Sequence, residues 1–314
     1  TMQEEIFISG RNIPNIDPYL QIWHWPISVY LFLGGLAAGI LFFSSVITVM
    51  GKDKEYQGAV KYATLVPPVA LSLGLLALVY DLTHPLYTYQ LYTTIRLESP
   101  MSWGAWVLLV TTPLSFLWVL SYYSDFVKNP SKRIGFLTKL EGIITPYRKH
   151  MAYALIPLSI ILGVYTGILL SAFNARPLWN NAILGPLFLT SGLSTGAATI
   201  ILLSRSTAER HLFTRIDLAL IVLELGLIVH MIMGMYAGSQ VQLEAMQLLV
   251  GGEFTLMFFG FVIILGLLVP AMIELMEILG RKIPAVVPAL LILLGGLIFR
   301  FVMVEAGQIT RYLY

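Results

Sequence analysis

Residues 215–230 read RIDLALIVLELGLIVH. Between Asp217 and His230 the only charged side chain is Glu224, set in aliphatic residues and one glycine. A carboxylate at the centre of a bilayer costs about 2.5–3.5 kcal/mol on insertion scales, so such residues are protonated, paired or facing an internal cavity. Seven residues are almost two helical turns, which puts Asp217 and Glu224 on one face. His230 falls off that stripe by about a third of a turn.

The rest of the chain places this stretch in a membrane. Of its 314 residues 57% are hydrophobic and 11% charged, with mean hydropathy +0.81, against about a quarter charged in a soluble domain. The formal charge of +2 and the lack of a basic run offer nothing to a nucleic acid. The absence of cysteine excludes disulfides, thiolate zinc sites and any iron–sulfur cluster held by this chain. Five histidines show no paired spacing suited to haem. A spanning helix needs about 20 mostly apolar residues, and eight stretches qualify: 25–50, 60–83, 102–124, 150–172, 183–204, 214–237, 254–278 and 285–305. Residues 1–24 read as a polar tail with no evident signal peptide. The fold class expected is all-α, an integral membrane protein.

Orientation follows the excess of Lys and Arg on the cytoplasmic side. The loops after spans 1, 3, 5 and 7, with the adjoining helix ends, hold 14 of the 19 basic residues. Both termini are therefore expected outside. Trp23, Trp25, Trp103, Trp106 and Trp179 fall at outer helix ends, as an interfacial aromatic belt would.

The halves look alike. LFLGGLAAG at 31–39 resembles LFLTSGLSTG at 187–196, and LSLGLL at 71–76 resembles LELGLI at 223–228. Spans 1 and 5 run in the same direction, so the expectation is two four-helix bundles, 25–172 and 173–314, related by a parallel repeat. Chance likeness between Leu/Gly-rich helices is the alternative, and the glycine pairs read as close-packing surfaces.

At 1.5 Å rise per residue, Tyr30 lies about 8 Å below the outer edge, and Tyr165 and Arg300 about 22 and 21 Å from the inner edge. Asp81 ends span 2, so four polar residues from four helices are expected at one outer depth, with His24 and His84 just above. Glu224 is about 15 Å in from the inner edge, and Arg300, the one cation inside a span, is its expected partner. Taken singly, Tyr30 and Tyr165 suit interfacial tyrosines and Asp81 a helix-end turn. Together they suit a lipid-soluble molecule with oxygens at two ends: a quinone, with Tyr and His as donors and Asp81 as proton acceptor.

WHWPISVYLFLGGLAAG (23–39), LVYDLTHPL (78–86), YTGILLSAFNARPLWNNAILGPLFLTSGLSTGAA (165–198), RIDLALIVLE (215–224) and LIFRFVMVEAGQIT (297–310) resemble the NrfD/PsrC family, the membrane subunits of polysulfide reductase-type complexes. The resemblance implies an eight-helix, quinone-reactive subunit without haem or iron–sulfur cluster, in a prokaryotic inner membrane. It would oxidise menaquinol and pass electrons to a ferredoxin-like iron–sulfur subunit on the outer face. From there they would reach a molybdopterin or other catalytic subunit that holds the terminal reductase site, for polysulfide or sulfur first and nitrite second. It implies a quinone site at Tyr30, Asp81 and Tyr165, with His24 beside it, and a proton relay through Asp217, Glu224 and Arg300. The competing class is a proton-coupled secondary transporter, since parallel repeats and buried carboxylates occur there too; a b-type cytochrome is a third.

Overall fold

The first apolar stretch becomes a helix over Trp25–Val49, started by Pro26 in its first turn, where proline's missing N–H costs nothing. The computed structural model describes residues 23–82, 84–123, 135–281 and 283–310. The polar tail expected over 1–24 lies outside these residues except for its last two.

Among the described residues eight helices are long and apolar enough to cross a membrane, and the protein is a multi-pass membrane protein. Span 1 is Trp25–Val49, span 2 Gly58–Asp81, span 3 Pro100–Tyr122, span 5 Leu184–Leu203, span 6 Thr207–Tyr236, span 7 Leu256–Ile278 and span 8 Val286–Ile309. Span 4 is Arg148–Ser171, preceded by a short helix at Gly135–Ile144. Short helices also follow span 2, at Gln90–Thr93, and span 6, at Gln240–Gln247. No strand occurs among the described residues. The expected boundaries hold to within a turn except at the start of span 6, which begins seven residues earlier, and at the end of span 8, which runs four residues further. Pro113 and Pro157 lie within helices, tolerated in membrane helices when neighbours satisfy the freed carbonyls. The first half of span 7, Leu256–Leu268, winds as a wider π-helix.

Spans 1 and 5 form the centre, each with 72% of its most apolar window buried, against 28% for spans 6 and 7. Span 1 packs against spans 2, 4, 5 and 8, and span 5 against spans 1, 4, 6 and 8. Span 3 bridges 2 and 4, as span 7 bridges 6 and 8. The central crossing is built by the glycines of the two look-alike motifs, which meet each other. A Cβ on Gly39 would stand 2.2 Å from the Gly192 carbonyl oxygen, and one on Gly196 would stand 2.6 Å from the Gly39 carbonyl carbon. The absent side chains let the backbones touch, which is how membrane helices gain dispersion energy without a hydrophobic drive.

Polar clasps fasten the helix ends. Tyr122 donates to Asp53 at 2.8 Å and lies 2.6 Å from the Thr48 hydroxyl, tying span 3 to span 1. The Trp23 backbone N–H donates to Gln308 Oε1 at 2.7 Å, and Gln308 Nε2 donates back to the Trp23 carbonyl at 2.8 Å. Two tryptophans leave the expected belt. Trp23 and Trp179 are 6% and 0% exposed, their ring centroids 5.1 Å apart, and the Trp179 indole donates to the Met303 carbonyl at 2.7 Å. Trp25, Trp103 and Trp106 do face outward.

Candidate functional site

His24 precedes span 1 in an extended backbone conformation, φ −104° and ψ −178°, so its ring is free of the helix. It reaches the last residue of span 2: Nδ1 lies 3.0 Å from Asp81 Oδ1. The Asp81 side chain is 5% exposed and that of His24 is 57% exposed. A shielded acid is thus linked to the protein surface through an open imidazole, a side chain suited to relaying a proton.

The tyrosines lie deeper on the same seam. Tyr30 is 2% exposed, with its ring against Gly74 of span 2. Tyr165 comes from span 4, and its ring rests on Gly104 of span 3, where a Cβ would fall 1.8 Å from the ring. Tyr30 and Tyr165 interact with each other, and Tyr92 of the Gln90–Thr93 helix is near both. The buried Tyr30 hydroxyl has no partner in hydrogen-bonding geometry among the described residues. Gly74 and Asp81 are seven residues apart on span 2, so the acid–imidazole pair stands about 10 Å outward of Tyr30. The expected single level is therefore split, with the acid–imidazole pair, the tyrosines and Arg300 at successive depths.

Arg300 is deeper still. Its guanidinium crowds Gly35 of span 1, donates to the Ser191 hydroxyl at 2.5 Å and to the Phe188 carbonyl at 3.2 Å, and stacks near the Phe188 and Phe299 rings. The expected direct ion pair with Glu224 is not formed: no oxygen of Glu224 comes within the 4.0 Å of a salt bridge among the described residues. Ser191 stands between them instead, accepting from Arg300 and interacting with the Glu224 carboxylate. A hydroxyl can do both, since it carries a donor and acceptor lone pairs.

Asp217, fully buried, accepts from the Ser194 hydroxyl at 2.6 Å. It faces a second acid, Glu274 of span 7, which is 1% exposed. Asp217 Oδ2 and both Glu274 oxygens meet no hydrogen-bond donor among the described residues. One proton held between them would pair Asp217 Oδ2 with one of the Glu274 oxygens. Glu277, one turn on, neighbours Glu274 at the inner end of the span. The acids thus run Glu277, Glu274, Asp217, Glu224, then Ser191 and Arg300, with spans 6 and 7 both contributing.

Two cavities adjoin the outer seam. A groove of about 460 Å³ between spans 3 and 4 includes Tyr165 in its wall. A more polar one of about 530 Å³ lies under the segment after span 2 and is lined by His84, Tyr87, Gln90 and Arg96 among others. No group of three metal-ligating side chains occurs among the described residues.

Residue patterns missed Tyr92, Ser191, Ser194 and Glu274. Span 5 carries the signal for the serines, because TSGLSTG puts Ser191 and Ser194 three residues apart on one face. For Glu274 the signal is an acid four residues beyond a proline in an apolar helix.

The model of the family described as "Polysulphide reductase, NrfD" matches residues 15–311. The C subunit of the polysulfide reductase of Wolinella succinogenes is 32% identical over 301 residues, 91% of this chain and 94% of that protein. Protein NrfD of Escherichia coli is 31% identical, covering 92% of this chain and 96% of the relative. The NrfD homolog of Haemophilus influenzae is 27% identical over 95% of this chain and 98% of its own length. With its eight apolar helices and a family match over nearly its whole length, this chain belongs to the NrfD (polysulphide reductase) family.

Proposed function

We propose that this chain is the quinol-oxidising membrane subunit of a multi-subunit respiratory reductase in a prokaryotic inner membrane. The observation that carries this reading is the buried Tyr30 hydroxyl, near Tyr165 but with no partner in hydrogen-bonding geometry among the described residues, next to a groove on the lipid-facing side of spans 3 and 4. A quinol supplies the missing partner, since each of its oxygens both donates and accepts. A six-membered ring with an oxygen at each end, plus a hydrogen bond of about 2.8 Å at either side, is of the size that bridges Tyr30 to the Asp81–His24 pair.

In this reading Tyr30 and Tyr165 hold one oxygen and orient the head group. Asp81 takes a proton from the other, and His24, open at the outer end, passes it out. Two electrons and two protons leave per quinol, so Asp81 passes the first proton out through His24 before it takes the second. With no cysteine in this chain, an iron–sulfur subunit docked on the outer face receives them. It hands them to a catalytic subunit, of the polysulfide-reducing type by analogy with the Wolinella relative's name and of the nitrite-reducing type as the second choice. Menaquinol is the reading for the quinone. The acid series Glu277, Glu274, Asp217 and Glu224 offers a proton route from the inner side toward Arg300.

Both termini are placed outside by the basic-loop bias, and residues 25–172 and 173–314 are read as parallel-repeated bundles. The packing supports the repeat. Exchanging span 1 with 5 and span 4 with 8 turns the contact between spans 4 and 5 into that between spans 8 and 1, and both occur.

The test is purification with its partners, then quinol-driven reduction compared with reduction by an artificial donor that bypasses the membrane. Tyr30→Phe and Tyr165→Phe should cut the first at least tenfold and spare the second. A protein that runs alone without iron–sulfur subunits, or tyrosine variants with full quinol turnover, would overturn the reading and return the transporter to first place.

A further inference from the structure

The groove beside Tyr165 has walls that the head-group site does not need. Trp103 of span 3 and Ile160, Ile161, Val164 and Ile168 of span 4 form them, with Glu98 among the residues just before span 3. Trp103, Ile160, Ile161 and Ile168 are 56%, 38%, 47% and 41% exposed. On helices that cross a bilayer, that exposure faces hydrocarbon. From Ile168 to Ile160 the groove follows span 4 for about 12 Å along its axis, past Tyr165, toward the middle of the membrane.

We propose that this groove takes the isoprenoid tail of the quinol, and that the gap between spans 3 and 4 is the lateral gate through which the head group reaches Tyr165 and Tyr30. This rests on the quinol reading above. Three observations favour a quinone tail over an unrelated occupant. The groove is continuous with Tyr165, whose ring neighbours Tyr30, so a tail lying in it is already attached at the right place. Its charged residue, Glu98, lies at the end nearer the outer surface, where a polar head group would sit, and the deeper walls are branched aliphatics that pack by dispersion against methyl-branched isoprene units. Gly104 lets the Tyr165 ring lie flat on span 3, which holds the tyrosine at the inner wall and leaves the groove open. The cavity lined by His84, Gln90 and Arg96 has the more polar wall of the two and suits an apolar tail less well.

A phospholipid acyl group offers related chemistry, so the test must separate the two. A naphthoquinone carrying a photoreactive group on an isoprenoid tail is irradiated in native membranes, and labelled peptides are mapped. Labelling is expected within 97–106 and 160–168, competed by unlabelled long-tailed naphthoquinone and not by added phospholipid. Labels on other spans, or competition by phospholipid alone, would overturn the proposal. In the assembled complex, Ile161→Trp fills the groove and should raise the ratio of KM for long-tailed to KM for tail-less quinol at least tenfold. An unchanged ratio would overturn the gate while leaving the quinol reading standing. Absence of quinol oxidation by the unaltered complex would instead sink that reading.

Discussion

The imidazole of His24 and the carboxylate of Asp81 meet at 3.0 Å across the start of span 1 and the end of span 2, one side chain open and the other 5% exposed. The pair lies about two helical turns outward of Tyr30. A proton taken by Asp81 therefore has one short step to the protein surface and a long one to the tyrosines.

Asp81→Asn keeps the size and polarity of the side chain and removes its ability to accept a proton. Quinol-driven turnover should fall by roughly 10²-fold or more, the usual worth of a general base, while assembly and artificial-donor activity persist. His24→Ala should cost less, about tenfold, because bulk water can reach the acid once the ring is gone. Equal turnover in Asp81→Asn would remove Asp81 from the mechanism.

Gly104→Ala tests how Tyr165 is seated. Its Cβ would lie 1.8 Å from Tyr165 Cζ and 2.1 Å from the hydroxyl oxygen, so the ring must swing off span 3 and away from Tyr30. The displaced atoms end a rotatable side chain, so folding should survive while KM for quinol rises about tenfold. Gly142→Ala, where the added methyl meets nothing within 4 Å, is the matched control and should leave both yield and KM as they are. Normal KM in Gly104→Ala would show that the ring position is irrelevant.

The eight spans were legible because a membrane helix must satisfy its own backbone and repeat apolar residues over its whole length. The Asp217–Glu224 stripe was legible too, because helical periodicity alone puts both on one face. Glu274 was not: near the inner end of span 7 it looks like an interfacial acid, and only the packing of span 7 on span 6 buries it against Asp217. Arg300 and Glu224 do interact electrostatically, but the direct contact expected between them is not made, for a related reason. Counting rise along two helices gives depth and not azimuth, and Ser191 of a third helix occupies the position between the charges. Trp23 and Trp179 went astray because their segments fold inward over the ends of spans 1 and 8.

Glu274 and Asp217 share one buried place without a cation on either, so the two should be energetically inseparable. Glu274→Gln supplies an amide donor to Asp217 and should keep normal stability. Glu274→Ala removes that possibility and leaves a buried carboxyl oxygen unpartnered, at a cost of about 1–3 kcal/mol. Thermal unfolding in detergent would read the difference, and the Ala penalty should shrink when Asp217→Asn is added. Strict additivity would mean the acids do not interact.

Glu209 ties the two halves at the opposite end. Its carboxylate, 1% exposed, accepts from the backbone N–H groups of Gly58 at 3.0 Å and Ala59 at 2.8 Å and from the Ser204 hydroxyl at 3.0 Å. These N–H groups open span 2, where no turn of helix precedes them to supply carbonyls, and the partial positive charge of a helix start favours an acid there. Glu209→Ala should therefore lower stability by about 2–4 kcal/mol, as charge-assisted bonds to buried donors are worth about 1.5–3 kcal/mol each. Gly58→Ala should act through the same contact, since its Cβ would sit 2.5 Å from Glu209 Oε2 and push the acceptor off the helix start. The double variant should then be little worse than Glu209→Ala alone. If unfolding measurements give the full sum of the two losses, the clasp is not what either substitution breaks.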